Sequence, residues 1–259
     1  MTREHQIGFS QRIRLEWLEY AANLVLAENP RDEVVVALRQ HLRETLSVGS
    51  DAERGTRNKA ITILMKVWIN VPPQLVALRD AGLALLRHSN ANERMLIHWC
   101  MCAAVYPFFG TVAGVTGRVL RLQGDVGAAQ VQRRLREKYG QRETVARAAR
   151  RILRLFVDWG VLLESDRHGL YRGAGARPVD DSALAIWIAR AVLASRDNQA
   201  QPPAALLRGP HLFPFEVALP AIRELESCNA LEVSRHGLDQ DVFVSLAESA
   251  ASVRQPRDA

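Results

Sequence analysis

A chain of 259 residues, 48% hydrophobic and 24% charged, carries enough apolar material for a sizeable core and lacks the bias of a disordered or fibrous chain. Its formal charge of +6 is uneven: residues 118–172 hold 13 Lys/Arg against 6 Asp/Glu, a net of +7, whereas residues 1–117 come to +2 and residues 173–259 to −3. Three cysteines (Cys100, Cys102, Cys228), an odd number without metal-ligand spacing, argue against a disulfide framework and against a bound metal, and fit reduced thiols in a cytosol.

Low aromatic content (6%) and little β-branched alternation favour a mainly α chain. Met1 to Ser10 includes Arg3, Glu4 and His5 with no apolar run behind them, so no signal peptide is expected and the location reads as cytoplasmic. Gln11 to Ala27 predicts a first helix, with Ile13, Trp17, Leu18, Leu24 and Val25 near one face. Asn29-Pro30 stops it, and Asp32 opens a second through Val34, Leu38, Leu42 and Leu46. After a polar break at residues 49–55, a third helix is expected over about Thr56 to Ile69. Pro72-Pro73 ends it and starts a fourth, reaching Leu86. Asn90 or Asn92 can cap a fifth, beginning near Glu93.

Met95 to Gly117 spans 23 residues without a full charge, long enough to cross a bilayer. His98, Thr111 and Thr116 lie within it, and Tyr106-Pro107 breaks helical hydrogen bonding near its midpoint. Two buried helices, about 93–105 and 108–123, explain the run better than a membrane span, with Gly110, Gly114 and Gly117 allowing close packing.

The basic segment reads as a winged helix-turn-helix. Gly124-Asp125 supplies a helix start; Ala128, Val131 and Leu135 make an apolar stripe ending at Tyr139-Gly140. A second helix opens at Glu143-Thr144, with Val145, Ala148, Ala149, Ile152, Leu155, Phe156 and Trp159 on one face and Arg147, Arg150, Arg151 and Arg154 on the other. Val161 to Glu164 and Leu170 to Arg172 read as a hairpin whose tip, Asp166 to Gly169, carries Arg167 and His168. The expected DNA-binding residues are Thr144, Arg147, Arg150, Arg151 and Arg154 on the second helix, Arg133, Arg134 and Lys138 on the first, Arg142 in the turn, and Arg167 and His168 on the wing.

The last eighty residues repeat this pattern without its charge. Asp181 or Ser182 caps a helix through Leu193, Pro220 to Ser227 is a short helix, and Leu231–Ser234 and Val242–Leu246 alternate as strands. The short helix carries Arg223, Glu224 and Glu226, which suits packing or protein docking better than phosphate. The expected divisions are an N-terminal helical bundle (1–117), the basic winged helix-turn-helix (118–178), a winged-helix-like lobe (179–247) and a flexible tail (248–259).

The N-terminal helices, with Thr144-Val145-Ala146-Arg147-Ala148-Ala149-Arg150-Arg151-Ile152-Leu153 and Asp158-Trp159-Gly160-Val161-Leu162, resemble the BrxA family of bacteriophage-exclusion (BREX) defence systems. The resemblance implies a DNA-binding accessory protein working beside an ATPase and a DNA methyltransferase. Tyr106-Pro107-Phe108-Phe109 has no counterpart in that pattern. No GxxxxGK[ST] or HExxH motif is present, and His98, four residues after Arg94 on an apolar helix beside Trp99, reads as a core histidine. The expectation is a non-enzymatic, duplex-DNA-binding protein without cofactor, the alternative being a winged-helix adaptor that docks proteins.

Overall fold

The computed structural model describes residues 7–46, 55–196, 198–237 and 240–247, and these are mostly helical. The expected tail at 248–259, and all of the polar break at 49–55 except Gly55, lie outside the described residues.

Helix α1 (Leu15–Leu26) buries Trp17, Leu18, Ala21 and Ala22 and begins four residues later than the periodicity suggests, with Ile13 buried ahead of it. Pro30 stands at the N-cap of α2 (Arg31–Thr45). Helix α3 (Thr56–Leu64) runs into a π-helical turn, Met65–Ile69, and a 3-10 turn, Pro73–Leu75, leads into α4 (Val76–Leu86). Asn90 caps α5 (Ala91–Val105): its side chain accepts from the amides of Asn92 and Glu93, and the Glu93 carboxylate accepts from the Asn90 amide at 2.8 Å.

Pro107 opens α6 (Pro107–Gln123), bent 119° from α5. Among the described residues no single helix is long and apolar enough to cross a membrane; α5 with α6, and Thr56–Ile69 with Pro73–Leu86, reach that length only as bent pairs. Helix α5 is buried almost all round, as befits a helix apolar on every side.

Gly124, at φ +77°, closes α6. The expected helix start at Gly124-Asp125 is corrected here: Asp125–Gly127 is strand β1, and α7 (Ala128–Tyr139) begins after it. Only Val126 of that strand is buried, so three residues offered no periodicity to read. Gly140, also at φ +77°, ends α7, and α8 (Glu143–Asp158) follows two residues later. Strands β2 (Leu162–Glu164) and β3 (Leu170–Gly173) form an antiparallel hairpin, and β1 joins its far side in the order β1-β3-β2, with Val126 opposite Tyr171 and Leu163 opposite Arg172.

Strand β4 (Arg177–Val179) leads to α9 (Ser182–Ser195), capped by Asp181, whose carboxylate accepts from the Leu184 amide at 2.6 Å. After α10 (Pro203–Leu207) and a 3-10 turn, Pro210–Leu212, strand β5 (Phe215–Val217) returns parallel to β4. Helix α11 (Ile222–Glu226) and the antiparallel pair β6 (Leu231–His236) and β7 (Asp241–Leu246) complete the fold, and Gln201 makes a single β-bridge to Val244 of β7.

One apolar core runs through all of these elements. Trp99 of α5 stacks on Phe156 of α8 at 4.6 Å, meets Phe109 of α6 and Phe213 edge-on, and donates its indole N–H to the His211 carbonyl at 3.0 Å. Trp159 donates to the Ile13 carbonyl at 3.0 Å and Trp187 to that of Leu78 at 2.9 Å, so these two indoles find acceptors distant in sequence. Helix α6 runs across the expected boundary at 117/118, and β4 across that at 178/179.

Of the three α6 glycines expected to allow close packing, only Gly117 is closely approached. A Cβ on Gly110 would touch only Ala103, and one on Gly114 would contact His211. One on Gly117 would overlap the Pro210 carbonyl. The C-terminal 3-10 turn therefore lies on the backbone of α6.

Candidate nucleic-acid interface

Helix α8 is two-faced because its apolar residues recur at three-four spacing. Val145, Ala148, Ala149, Ile152, Leu155 and Phe156 are buried. Arg147, Arg150 and Arg154 are exposed and Arg151 is half-buried, so all four arginines stand along the helix away from that core. Thr144 is exposed in the first turn. Arg167 and His168 are exposed at the tip of the β2–β3 hairpin, where the Leu170 amide donates to the Arg167 carbonyl at 3.0 Å and Gly169 takes φ +78°.

Carboxylates interleave with this arginine stripe. One oxygen of Glu143 accepts from Arg147 Nε at 3.0 Å and from Arg150 Nη2 at 3.1 Å. Arg154 pairs with Glu164 of β2, and Arg12 makes a two-point pair with Asp158 at the end of α8. The Arg147 hydrogen bond draws the Glu143 carboxyl below its usual range, and the bond to Asp158 raises the Arg12 guanidinium. Arg151 makes no ion pair among the described residues.

The residues expected on α7 are less uniform. Arg133 and Arg134 are exposed, with Arg134 at 3.8 Å from Glu137. Lys138 sits over the Tyr139 ring, 5.6 Å from its centroid, beside a cleft that faces the C-terminal segment. Arg142 donates from Nε and Nη2 to the Tyr139 carbonyl at 3.2 and 3.1 Å, satisfying the last turn of α7.

Sequence reasoning missed the carboxylates Glu143, Glu164 and Asp158 as partners of the stripe. The four-residue spacing of Glu143 and Arg147 was a usable signal. The Arg12–Asp158 pair, 146 residues apart, had none.

His98 is fully buried, hydrogen-bonded at Nδ1 and close to a carboxylate at Nε2. Its Nδ1 accepts from the Trp68 indole at 3.1 Å, which leaves the proton on Nε2, 3.2 Å from Glu19 Oε1. Arg94 also donates to Glu19 and to the Leu86 carbonyl. Burial lowers the His98 pKa against the pull of Glu19. Burial also pushes Glu19 up, but the hydrogen bonds from His98 and Arg94 prevail and hold it at about 2. This network ties α1, α5 and the π-helical turn together. Burial raises the thiols of Cys100 and Cys102, which disfavours the reactive thiolate. Among the described residues no group of three or more His, Cys, Asp or Glu side chains could hold a metal ion.

Compared with protein-family models, with curated proteins and with solved structures, the chain matches none.

Proposed function

We propose that residues 118–178 form a winged helix-turn-helix that binds duplex DNA through the arginine face of α8, in a cytoplasmic accessory protein without catalytic activity of its own. The order α6, β1, α7, α8, β2, β3, with β3 central in the sheet, supports the module. The observation that carries the reading is the four-arginine stripe of α8, turned away from the core. Guanidinium forks bind phosphates or guanine edges, and a net of +7 over 55 residues supplies the matching field. The hairpin tip with Arg167 and His168 is the wing in this reading. The BREX setting, with an ATPase and a DNA methyltransferase as partners, belongs to the proposal on the strength of the BrxA resemblance alone.

The test is Arg151→Glu, because Arg151 holds no carboxylate among the described residues and stands away from the buried face of α8. Duplex affinity should fall by roughly tenfold or more with the melting temperature nearly unchanged. Were the lost contact a phosphate, the slope of log affinity against log salt should shrink by about one unit. Ile152→Asp, which buries a charge in the core, is the unfolding control. Undiminished binding by Arg151→Glu would remove α8 as the reading helix. The second reading, a protein-docking adaptor, would then lead; the mixed charge of the α8 face and the exposure of Leu163 on β2 favour it.

A further inference from the structure

Between α6, the end of α7 and the C-terminal segment lies a cleft of about 610 Å³, a volume suited to a metabolite-sized ligand. Its most buried lining is apolar and includes Trp99, Cys100 and Leu212. Among the described residues its charged lining has one sign: Arg118 of α6, Lys138 of α7 and Arg196 just beyond α9. The hydroxyls of Thr111, Tyr139 and Ser195 also line it, and no described Asp or Glu does.

Arg196 is the decisive residue. It is half-buried, burial lowers its pKa, and among the described residues it has no carboxylate partner. Its Nη2 lies 2.9 Å from His211 Nδ1, and His211 Nε2 lies 3.2 Å from the Leu206 carbonyl. A guanidinium can only donate, so Nδ1 accepts and Nε2 carries the proton toward Leu206. Burial first, then the charges of Arg196 and Arg121, hold His211 down at about 3, so it stays neutral. Among the described residues the cleft thus pairs a half-buried cation with a neutral histidine and sets no carboxylate against it, an arrangement that an incoming anion relieves. Arg121 adds to the positive field nearby, donating to the Arg208 carbonyl at 2.8 Å.

We propose that this cleft binds a phosphate-bearing small molecule, its head group held by Arg196, Arg118 and Lys138 and its carbon framework directed toward the half-buried apolar lining at Pro107, Val115 and Ala205. Cations from three separate segments match a head group of several oxygens and about two negative charges; a carboxylate would be satisfied by a single arginine fork. Duplex DNA is too wide to enter a cleft of about 610 Å³, so the ligand is a free molecule. This inference does not depend on α8 binding DNA.

The test is calorimetric titration of the full chain with pyrophosphate, which supplies the head group alone. One-site binding is expected, weakened about tenfold or more in Arg118→Gln and in Arg196→Gln and unchanged in Arg151→Glu. Arg118 is exposed, so its variant tests the site even where Arg196→Gln unfolds the chain. Absence of binding with a dissociation constant below about 1 mM, full binding by Arg118→Gln, or equal loss in Arg151→Glu would each overturn the proposal. So would citrate binding as tightly as pyrophosphate, or displacement of pyrophosphate by a DNA duplex.

Discussion

Alanine substitution of two glycines on one helix should change stability in opposite directions. Alanine in place of a helical glycine gains about 0.5–1 kcal/mol through the entropy of the unfolded chain and helix propensity. At Gly110 the added Cβ meets only the Ala103 Cβ, at 3.4 Å, so Gly110→Ala should realise most of that gain. At Gly117 it would overlap the Pro210 carbonyl oxygen and come within 2.9 Å of the carbonyl carbon and 3.0 Å of Phe213 Cδ1. The obstructing atoms are main chain, and the turn they belong to is held by the Trp99 indole on the His211 carbonyl. It cannot swing aside as a side chain would. Overpacking of this kind costs about 1–3 kcal/mol, so Gly117→Ala should come out destabilised by up to roughly 2.5 kcal/mol after the propensity gain. In a chain of this length each kcal/mol moves the melting temperature by about 2–4 °C. Urea denaturation of both variants reads the sign directly, through the midpoint at constant slope. A Gly117→Ala protein as stable as Gly110→Ala would refute the seating of the Pro210 turn on α6.

Glu143→Gln removes the carboxylate that occupies Arg147 and Arg150, so gel-shift titration should show severalfold tighter duplex binding; unchanged affinity would mean that neither arginine reaches DNA. Acid should act in two windows. His98 and His211 both have pKa values depressed below the ordinary 6.5, so only the unfolded chain takes up their protons. The urea midpoint should therefore be flat above about pH 7 and fall as pH drops below about 6.5. Glu19, held at about 2 against an ordinary 4.5, stabilises above 4.5 and adds a second loss between 4.5 and 2. A midpoint constant from about pH 7 to 5 would count against two buried neutral histidines.

The helices were legible wherever local chemistry determines them. Asn90 with Glu93 spells a capping box, Pro107 starts a helix that α5 cannot continue, and Gly140 takes the positive φ that a helix stop requires. The α8 core stripe was legible as period alone. What could not be read depends on partners remote in sequence. Strand β1 exists because β3 offers it an edge, and β4 because β5 returns 38 residues later to lie parallel. The cleft needs Arg118, Lys138 and Arg196 brought to its one lining, and nothing in their separation along the chain announces that. The π-helical turn at Met65–Ile69 was hidden for another reason: its residues also fit an α-helical pattern.

The C-terminal segment shares only part of the basic one's element order, since a 3-10 turn and β5 stand between α10 and α11 where α7 and α8 are joined by a short turn. After α9, Gln201 bridges Val244 of β7 just as β1 pairs β3 after α6; a short helix, α11, then precedes the β6–β7 hairpin. The two third helices differ in length and charge. Helix α8 has 16 residues, more than four turns, and presents four arginines along one side. Helix α11 has five, Ile222–Glu226, little more than one turn, and its Glu226 is taken by Arg235 of β6. A single turn cannot lay a row of side chains along a groove, and a segment of net charge −3 repels the phosphates around it. The C-terminal segment instead commits Pro210–Leu212 to the backbone of α6, and its Phe213 and Phe215 to the rings around Trp99. Its contribution to any DNA complex would be indirect, through the rigidity of the core from which α8 projects.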